Sequence, residues 1–306
     1  MKALTSERPG FQDWIQAARL KFLPQGVMPV VIAGALAFSE GTFNVANFIV
    51  AFSAAAAVQI GLTMFNDTLD YVYGTDCKPI DAKNPFSGGS GVFTCGLIKP
   101  RQSLMVIFGL YLFALMCAIY MALDMGWGVM WIAIIGATIS ILYSAKPLRL
   151  AYHGLGELVM LLGYGPVLTA WGYFVHTGMV SWDVLLIGVI PGLCMWTMIL
   201  INEIPDYEED RAAGKRNLTY RLGPKNAKNL FIISLVVLYA YILALVFSGV
   251  MPPLSAIALG GIPLAVMAVR IAHRYYDDPI KVAMANKLMV IIYSVTTATV
   301  AIGMLT

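Results

Sequence analysis

Residues 48–76 read FIVAFSAAAAVQIGLTMFNDTLDYVYGTD, an apolar run long enough to cross a bilayer that ends in Asn66, Asp67, Asp70 and Asp76. Residues 184–210, VLLIGVIPGLCMWTMILINEIPDYEED, repeat the pattern with Asn202, Asp206 and Asp210. On a helix the i, i+4 spacing sets Asn66 above Asp70, and Asn202 above Asp206 above Asp210. Carboxylates at the rim of a membrane helix are expensive and persist mainly where they pair, bind ions or line a polar cavity. Two such clusters facing one another would form a site for divalent metal and, through the metal, for a polyphosphate.

The composition sets these clusters in a membrane. Of 306 residues, 59% are hydrophobic and only 12% charged, which a soluble core would rarely reach and a bundle of membrane helices commonly does. At roughly 20 residues per span, nine hydrophobic segments follow, at about 22–39, 48–72, 102–122, 127–145, 155–176, 182–204, 228–249, 252–272 and 283–305. The expected fold is all-α and integral to the membrane: nine transmembrane helices around a central cavity that opens at the cytoplasmic face. Residues 1–306 then form a single membrane domain.

Basic residues give the orientation. All 20 Lys and Arg fall in the N-terminal segment or in and beside the loops that follow the even-numbered helices. Such residues are retained on the cytoplasmic side. The N-terminus and both acid clusters are therefore expected on the cytoplasmic face, and the C-terminus outside. Residues 1–24 lack the pattern of a cleavable signal. Phe11, Trp14, Ile15 and Leu20, interleaved with Gln12, Asp13, Gln16 and Arg19, suggest an amphipathic helix in the interface. The absence of a targeting segment fits a prokaryotic cell membrane.

Other chemistries find little support. Four cysteines show no CxxC spacing, and three scattered histidines argue against zinc. The Ser87-Gly88-Gly89-Ser90-Gly91 run follows no predicted strand, so it is no P-loop and is better taken as a hinge over the site. No nucleic-acid partner is expected. Magnesium suits the acids, because it prefers oxygen ligands, keeps several waters and bridges carboxylates to substrate phosphates. Basic residues on the same face would neutralise the remaining phosphate oxygens. Lys146, in Tyr143-Ser144-Ala145-Lys146-Pro147, emerges there, and Arg19, Lys83, Lys215 and Arg216 are further candidates. Pro205 removes a helix hydrogen bond and is expected to kink the helix, aiming Asp206 and Asp210 inward. A divalent-cation transporter or channel lined by the same acids is the alternative; placing both clusters near one membrane face, away from the midplane, weighs against it.

The run from Asn66 to Asp76 resembles the first aspartate motif of the UbiA superfamily of intramembrane prenyltransferases, and Asn202 to Leu218 resembles the second. The Tyr143–Pro147 stretch, Arg19-x-x-x-Leu23-Pro24 and the nine-helix count fit as well. Gly74-Thr75-Asp76 and Asp210-Arg211-Ala212-Ala213-Gly214-Lys215-Arg216 most resemble the 1,4-dihydroxy-2-naphthoate prenyltransferases of menaquinone biosynthesis. Two departures stand out: Asp76 lies six residues after Asp70, and Asn84-Pro85 replaces a frequent Arg-Pro. The resemblance implies Mg²⁺-dependent transfer of a prenyl group from an isoprenyl diphosphate to an aromatic quinone precursor, 1,4-dihydroxy-2-naphthoate being the acceptor of that branch. It implies Asn66, Asp70, Asp206 and Asp210 at the metal. Arg19 and Lys146 are implied at the diphosphate and Asn202 beside it, with Lys83 and Arg216 further basic candidates for substrate on the same face. Asp67 and Asp76 are implied as bases or orienting groups, and the Tyr143 ring as a shield for the allyl cation. Other acceptors of the superfamily stay open on the same scaffold.

Overall fold

The computed structural model describes residues 9–74 and 86–306, and among these every regular element is helical. A short amphipathic helix α1 (Phe11–Ala18) leads into α2 (Leu23–Ser39) through Arg19, which takes a left-handed conformation at φ 45 and turns the chain. α3 (Val45–Tyr73) starts at Asn44, whose side chain accepts the Asn47 N–H at 3.1 Å, and stops at left-handed Gly74. α4 (Pro100–Met125) begins on a proline, which a first turn tolerates, and α5 (Gly128–Ser144) returns alongside it.

The segment expected at 155–176 is not one regular helix. It runs as α6 (Gly156–Leu162), a π-turn (Gly163–Val167) and α7 (Leu168–Thr177), because Pro166 interrupts the hydrogen-bond ladder. α8 (Trp182–Glu203), two short helices α9 (Tyr207–Ala212) and α10 (Leu218–Leu222), and α11 (Pro224–Phe247) follow. A 3₁₀ stretch at Pro253–Gly261 feeds α12 (Ile262–Tyr275), and α13 (Ala283–Gly303) closes the bundle.

Eight of the described helical segments are long and apolar enough to cross a membrane, and Gly128–Ser144 is a shorter apolar helix. Many large apolar side chains, among them Phe108, Leu123, Trp131 and Val236, face outward, as a bilayer-embedded surface requires. The largest core lies where α2, α8, α11 and α13 meet, with Ile190, Leu200, Phe231, Leu238 and Tyr293 fully enclosed. A second core joins α3, α4, α5 and α7 around Met121, Val129 and Trp171. A third seats α1 through Ala17 on α3 and on Val92 and Ile98. Gly165 allows the π-turn to meet α8 closely: a Cβ there would stand 2.7 Å from the Gly188 carbonyl and 2.8 Å from the Gly192 Cα.

One geometric expectation changes. Asn202, Asp206 and Asp210 do not share one continuous helix: α8 ends at Glu203, the chain turns through Ile204–Asp206, and α9 starts at Tyr207. Pro205 has no N–H to give the Ile201 carbonyl one turn back. Asn286 of α13 takes its place, donating Nδ2 to Ile201 O at 2.8 Å and to Asn202 Oδ1 at 2.8 Å. The kink expected from Pro205 is thus a full break, held open by a neighbouring helix.

Candidate active site

Both acid motifs line one cavity of about 210 Å³. Its walls include Arg19, Asn66, Asp67, Asp70, Tyr143, Asn202, Asp206 and Asp210, all of them candidates from the sequence. On α3, Asn66 donates Nδ2 to Asp70 Oδ2 at 3.1 Å and accepts the Ser144 hydroxyl at 2.8 Å, which ties the first motif to the end of α5. Asp67 is buried and receives both the backbone N–H of Ser90, at 3.0 Å, and the Ser90 hydroxyl.

The second motif is strapped from several directions. Asp206 accepts the Ser87 hydroxyl at 2.9 Å and the Gly88 N–H at 3.1 Å. Asp210 accepts Asn217 Nδ2 at 2.6 Å and Lys215 Nζ at 3.3 Å. The glycine-serine loop therefore touches both motifs, Ser87 and Gly88 at the second and Ser90 at the first. Arg19 reaches the same loop, donating Nη2 to Ser87 O at 3.1 Å.

Charge is strongly unbalanced. Among the described lining residues there are six carboxylates, Asp67, Asp70, Glu203, Asp206, Glu209 and Asp210, against two cations, Arg19 and Lys215. Burial, then the neighbouring Asp210 carboxylate, push Asp206 up to about 7, in spite of its bonds from Gly88 and Ser87. Burial pulls the Lys215 ammonium down, but Asp210, Asp70 and the other acids outweigh it and hold it well above its ordinary value. A wall whose carboxylates repel one another in this way is completed by added positive charge.

The donor set fits magnesium. Carboxylate and amide oxygens converge from two sides, with no histidine or thiol among the described lining residues. Among the described residues no three acidic, histidine or cysteine side chains close into a preformed cage. An open oxygen site that shares its ion with water and phosphate is the arrangement Mg²⁺ adopts.

Not every candidate is gathered here. Lys146 is exposed outside the cavity lining, its Nζ 5.7 Å from the Tyr73 ring centroid. Arg216 is also exposed, and its backbone N–H is bound to Tyr152 O at 3.1 Å. Asp76 and Lys83 lie outside the described residues. In their place Lys215 stands at the wall. Glu157, buried at the start of α6, accepts the Leu218 N–H at 2.6 Å and fixes the chain that follows the second motif. Gln25, Gln59, Glu203 and Tyr164 also line the cavity and were not anticipated. Gln59 carried a signal, lying seven residues before Asn66 on the same helical face. Asn286 carried none, because its target is a backbone carbonyl freed by a proline in another helix.

An all-helical membrane protein with two asparagine-aspartate motifs on one oxygen-rich cavity defines a class of intramembrane enzyme that handles phosphorylated substrates through a metal. The chain belongs to the UbiA prenyltransferase family, whose model matches residues 27–292. It is a membrane prenyltransferase, and the transporter alternative falls away. It is 26% identical over 255 residues to the 1,4-dihydroxy-2-naphthoate octaprenyltransferase of Bacillus subtilis (strain 168), covering 83% of this chain and 80% of that one. It is also 26% identical over 275 residues to the 2-carboxy-1,4-naphthoquinone phytyltransferase of Synechocystis, covering 88% and 85%. A UbiA homologue from Archaeoglobus fulgidus, solved bound to DMAPP and Mg²⁺, shares the fold with a TM-score of 0.65 at 13% identity, over 96% of this chain and 99% of that one.

Proposed function

We propose that this protein transfers a prenyl group from an allylic diphosphate to the aromatic nucleus of a 1,4-dihydroxy-2-naphthoate-type quinone precursor. The observation that carries this reading is the meeting of both acid motifs on one cavity whose inner end is walled by Leu62, Met160, Met195, Met198 and Ile199. The Bacillus and Synechocystis relatives, named for naphthoate-type acceptors but for different prenyl donors, favour the acceptor and leave donor length open.

Asn66, Asp70, Asp206 and Asp210 hold Mg²⁺, with Asn202 oriented beside them by Asn286. Bound Mg²⁺ withdraws charge from the diphosphate and so favours its departure. Arg19 and Lys215 face the remaining diphosphate oxygens, and Lys215 stays protonated because the acids around it demand it. The C–O bond breaks with its electron pair on the diphosphate, leaving an allyl cation. The Tyr143 ring faces that cation and excludes water. An electron-rich ring carbon then bonds to the allyl carbon, and the ring proton passes to an oxygen of the released diphosphate. Asp67, engaged by Ser90, orients the glycine-serine loop over the site. Lys146 and Arg216 act at the entrance, where their charges attract the diphosphate before it is seated.

Nine spans, with Gly128–Ser144 counted beside the eight longer segments, agree with the basic-residue pattern. That topology makes residues 1–306 one domain, with the N-terminus and the cavity mouth cytoplasmic and the C-terminus outside. A cysteine at Leu305 should label only from the outer side.

The test of function is product formation from purified protein, Mg²⁺, allylic diphosphates of increasing length, and either 1,4-dihydroxy-2-naphthoate or 4-hydroxybenzoate, followed by mass spectrometry. A metal-dependent prenylated naphthoate is expected. Prenylation of 4-hydroxybenzoate alone would move the protein to another branch.

A further inference from the structure

Beneath the acids the cavity ends in a polar pair with no part in holding a metal. Gln59 lies two turns below Asn66 on α3, about 10 Å along the axis, and Met198 lies one turn below Asn202 on α8, about 6 Å. Gln25, at the start of α2, sits between them, and both glutamines line the cavity. Gln59 is fully engaged: Tyr164 donates its hydroxyl to Gln59 Oε1 at 2.7 Å, and Gln59 Nε2 donates to Thr63 Oγ1 at 3.3 Å. The π-turn carries Tyr164 to that position. Gly26 leaves room for the Gln59 side chain, since a Cβ there would stand 2.5 Å from Gln59 Cβ.

Gln25 is different. It is 1% exposed, and among the described residues its amide nitrogen meets only the Met198 sulfur, at 3.3 Å, and its Oε1 has no hydrogen-bond partner. Turning the amide over would leave its nitrogen in the same position, so one polar end is unmet in either orientation. A buried amide left this way is destabilising, and an aliphatic residue would avoid that cost. The backbone beneath it is fixed, because Tyr293 donates its hydroxyl to the Gln25 main-chain carbonyl at 3.0 Å.

We infer that Gln25, backed by the Gln59–Tyr164 pair, is a specificity-determining subsite that receives a ring hydroxyl of the aromatic acceptor at the end remote from the diphosphate. This rests on the aromatic-acceptor reading above. A prenyl tail offers no hydrogen-bonding group, and an ionised diphosphate has no proton to give and is drawn to the cations and acids at the other end. A phenolic hydroxyl both donates and accepts, so it satisfies a neutral amide in either orientation. No cation lies among the described residues of this inner end, so it selects a hydroxyl over a carboxylate. A ring anchored there is held at a fixed depth below the allyl cation, which forms one to two helical turns above.

The experiment compares wild type, Gln25→Leu and Gln25→Asn with 1,4-dihydroxy-2-naphthoate and with 1-hydroxy-2-naphthoate, which lacks the second hydroxyl. Acceptor binding is read by thermal-shift titration, and kcat/KM and donor KM by product formation. Wild type should favour the dihydroxy acceptor by roughly tenfold or more. Gln25→Leu should lose most of that preference by falling on the dihydroxy acceptor alone, with donor KM unchanged and melting temperature kept, and Gln25→Asn should fall between. Equal loss on both acceptors, unchanged discrimination, or a shift confined to donor KM would overturn the assignment. If wild type neither binds nor prenylates either naphthoate, the acceptor reading falls with it. If wild type prenylates them and Gln25→Leu discriminates as before, only this subsite fails.

Discussion

The two acid motifs have nearly the same composition and are built in opposite ways. The first rides on an unbroken helix that runs to Gly74, so the i, i+4 spacing places Asn66 on Asp70 at 3.1 Å, with Ser144 on Asn66 and Ser90 on Asp67 added to a helix already formed. The second sits across a proline break and is assembled from outside: by Asn286 on Asn202, by Ser87 and Gly88 on Asp206, and by Lys215 and Asn217 on Asp210. One motif gets its geometry from local helix periodicity. The other takes it from tertiary hydrogen bonds, and the same ligand chemistry then depends on many more residues.

The largest effect should be common to both motifs. Asp70→Asn and Asp206→Asn should each lower kcat by ~10²-fold or more, because each removes a charge that the metal and the developing diphosphate charge need. Steady-state rates on purified protein with an unchanged melting profile would check this. If either variant retained near-wild-type turnover, the two motifs would not serve one metal site.

Stability should separate them. Asn217 is buried, bonds Asp210 at 2.6 Å and accepts the Tyr220 N–H at 2.7 Å as the cap of α10. Asn217→Ala should destabilise the protein by about 2 kcal/mol, through a lost cap and the loss of the shorter of the two bonds to Asp210, which keeps only Lys215. Asn66→Ala, on a continuous helix where only the Ser144 bond is lost besides Asp70, should cost less than half of that while still impairing turnover. Equal melting shifts in detergent would erase the proposed difference between the motifs.

Charge gives a third contrast, with a definite sign. Asp206 is held at about 7 in the folded protein against an ordinary 3.8, so the folded state binds the extra proton. Its contribution to metal-free stability is greatest at low pH and is lost as pH rises from about 4 through 7. Without metal, Asp206→Asn should therefore melt higher than wild type at pH 8, while the gap closes toward pH 4. Added Mg²⁺ should raise the wild-type melting temperature at pH 8 and raise that of Asp206→Asn far less. A variant less stable than wild type at pH 8 would reverse the sign of the repulsion inferred at this site.

This contrast also explains how much the sequence could disclose. Eight long apolar segments, the shorter Gly128–Ser144 helix and the spacing within the first motif follow from hydropathy and from period-3.6 spacing, which are local properties. The exposed positions of Lys146 and Arg216 do not follow, because a basic residue beside a loop has the same sequence signature whether it anchors at the interface or turns inward. Lys215 differs from its neighbour Arg216 only in which side of the turn after α9 it leaves, and Asp210 decides that. Gln25 and Asn286 were illegible for a further reason. Their partners, Met198 and the Ile201 carbonyl, are 173 and 85 residues away and become adjacent only after the bundle packs.

The smallest predicted effect is the sharpest test of the strapped motif. Asn286 is fully buried and does two jobs: it satisfies the Ile201 carbonyl freed by Pro205, and it orients the Asn202 amide. Asn286→Leu should abolish both and lower turnover by roughly tenfold, with a stability loss of about 1–3 kcal/mol from the carbonyl left unmet. Pro205→Ala restores an N–H within reach of Ile201 O, so adding it to Asn286→Leu should recover part of the stability. It should not recover turnover, because Asn202 stays unheld and a straightened α8 carries Asp206 away from Ser87 and Gly88. A double variant that regained activity along with stability would mean that Asn286 acts only on the backbone and that the break at Pro205 does not position the second motif.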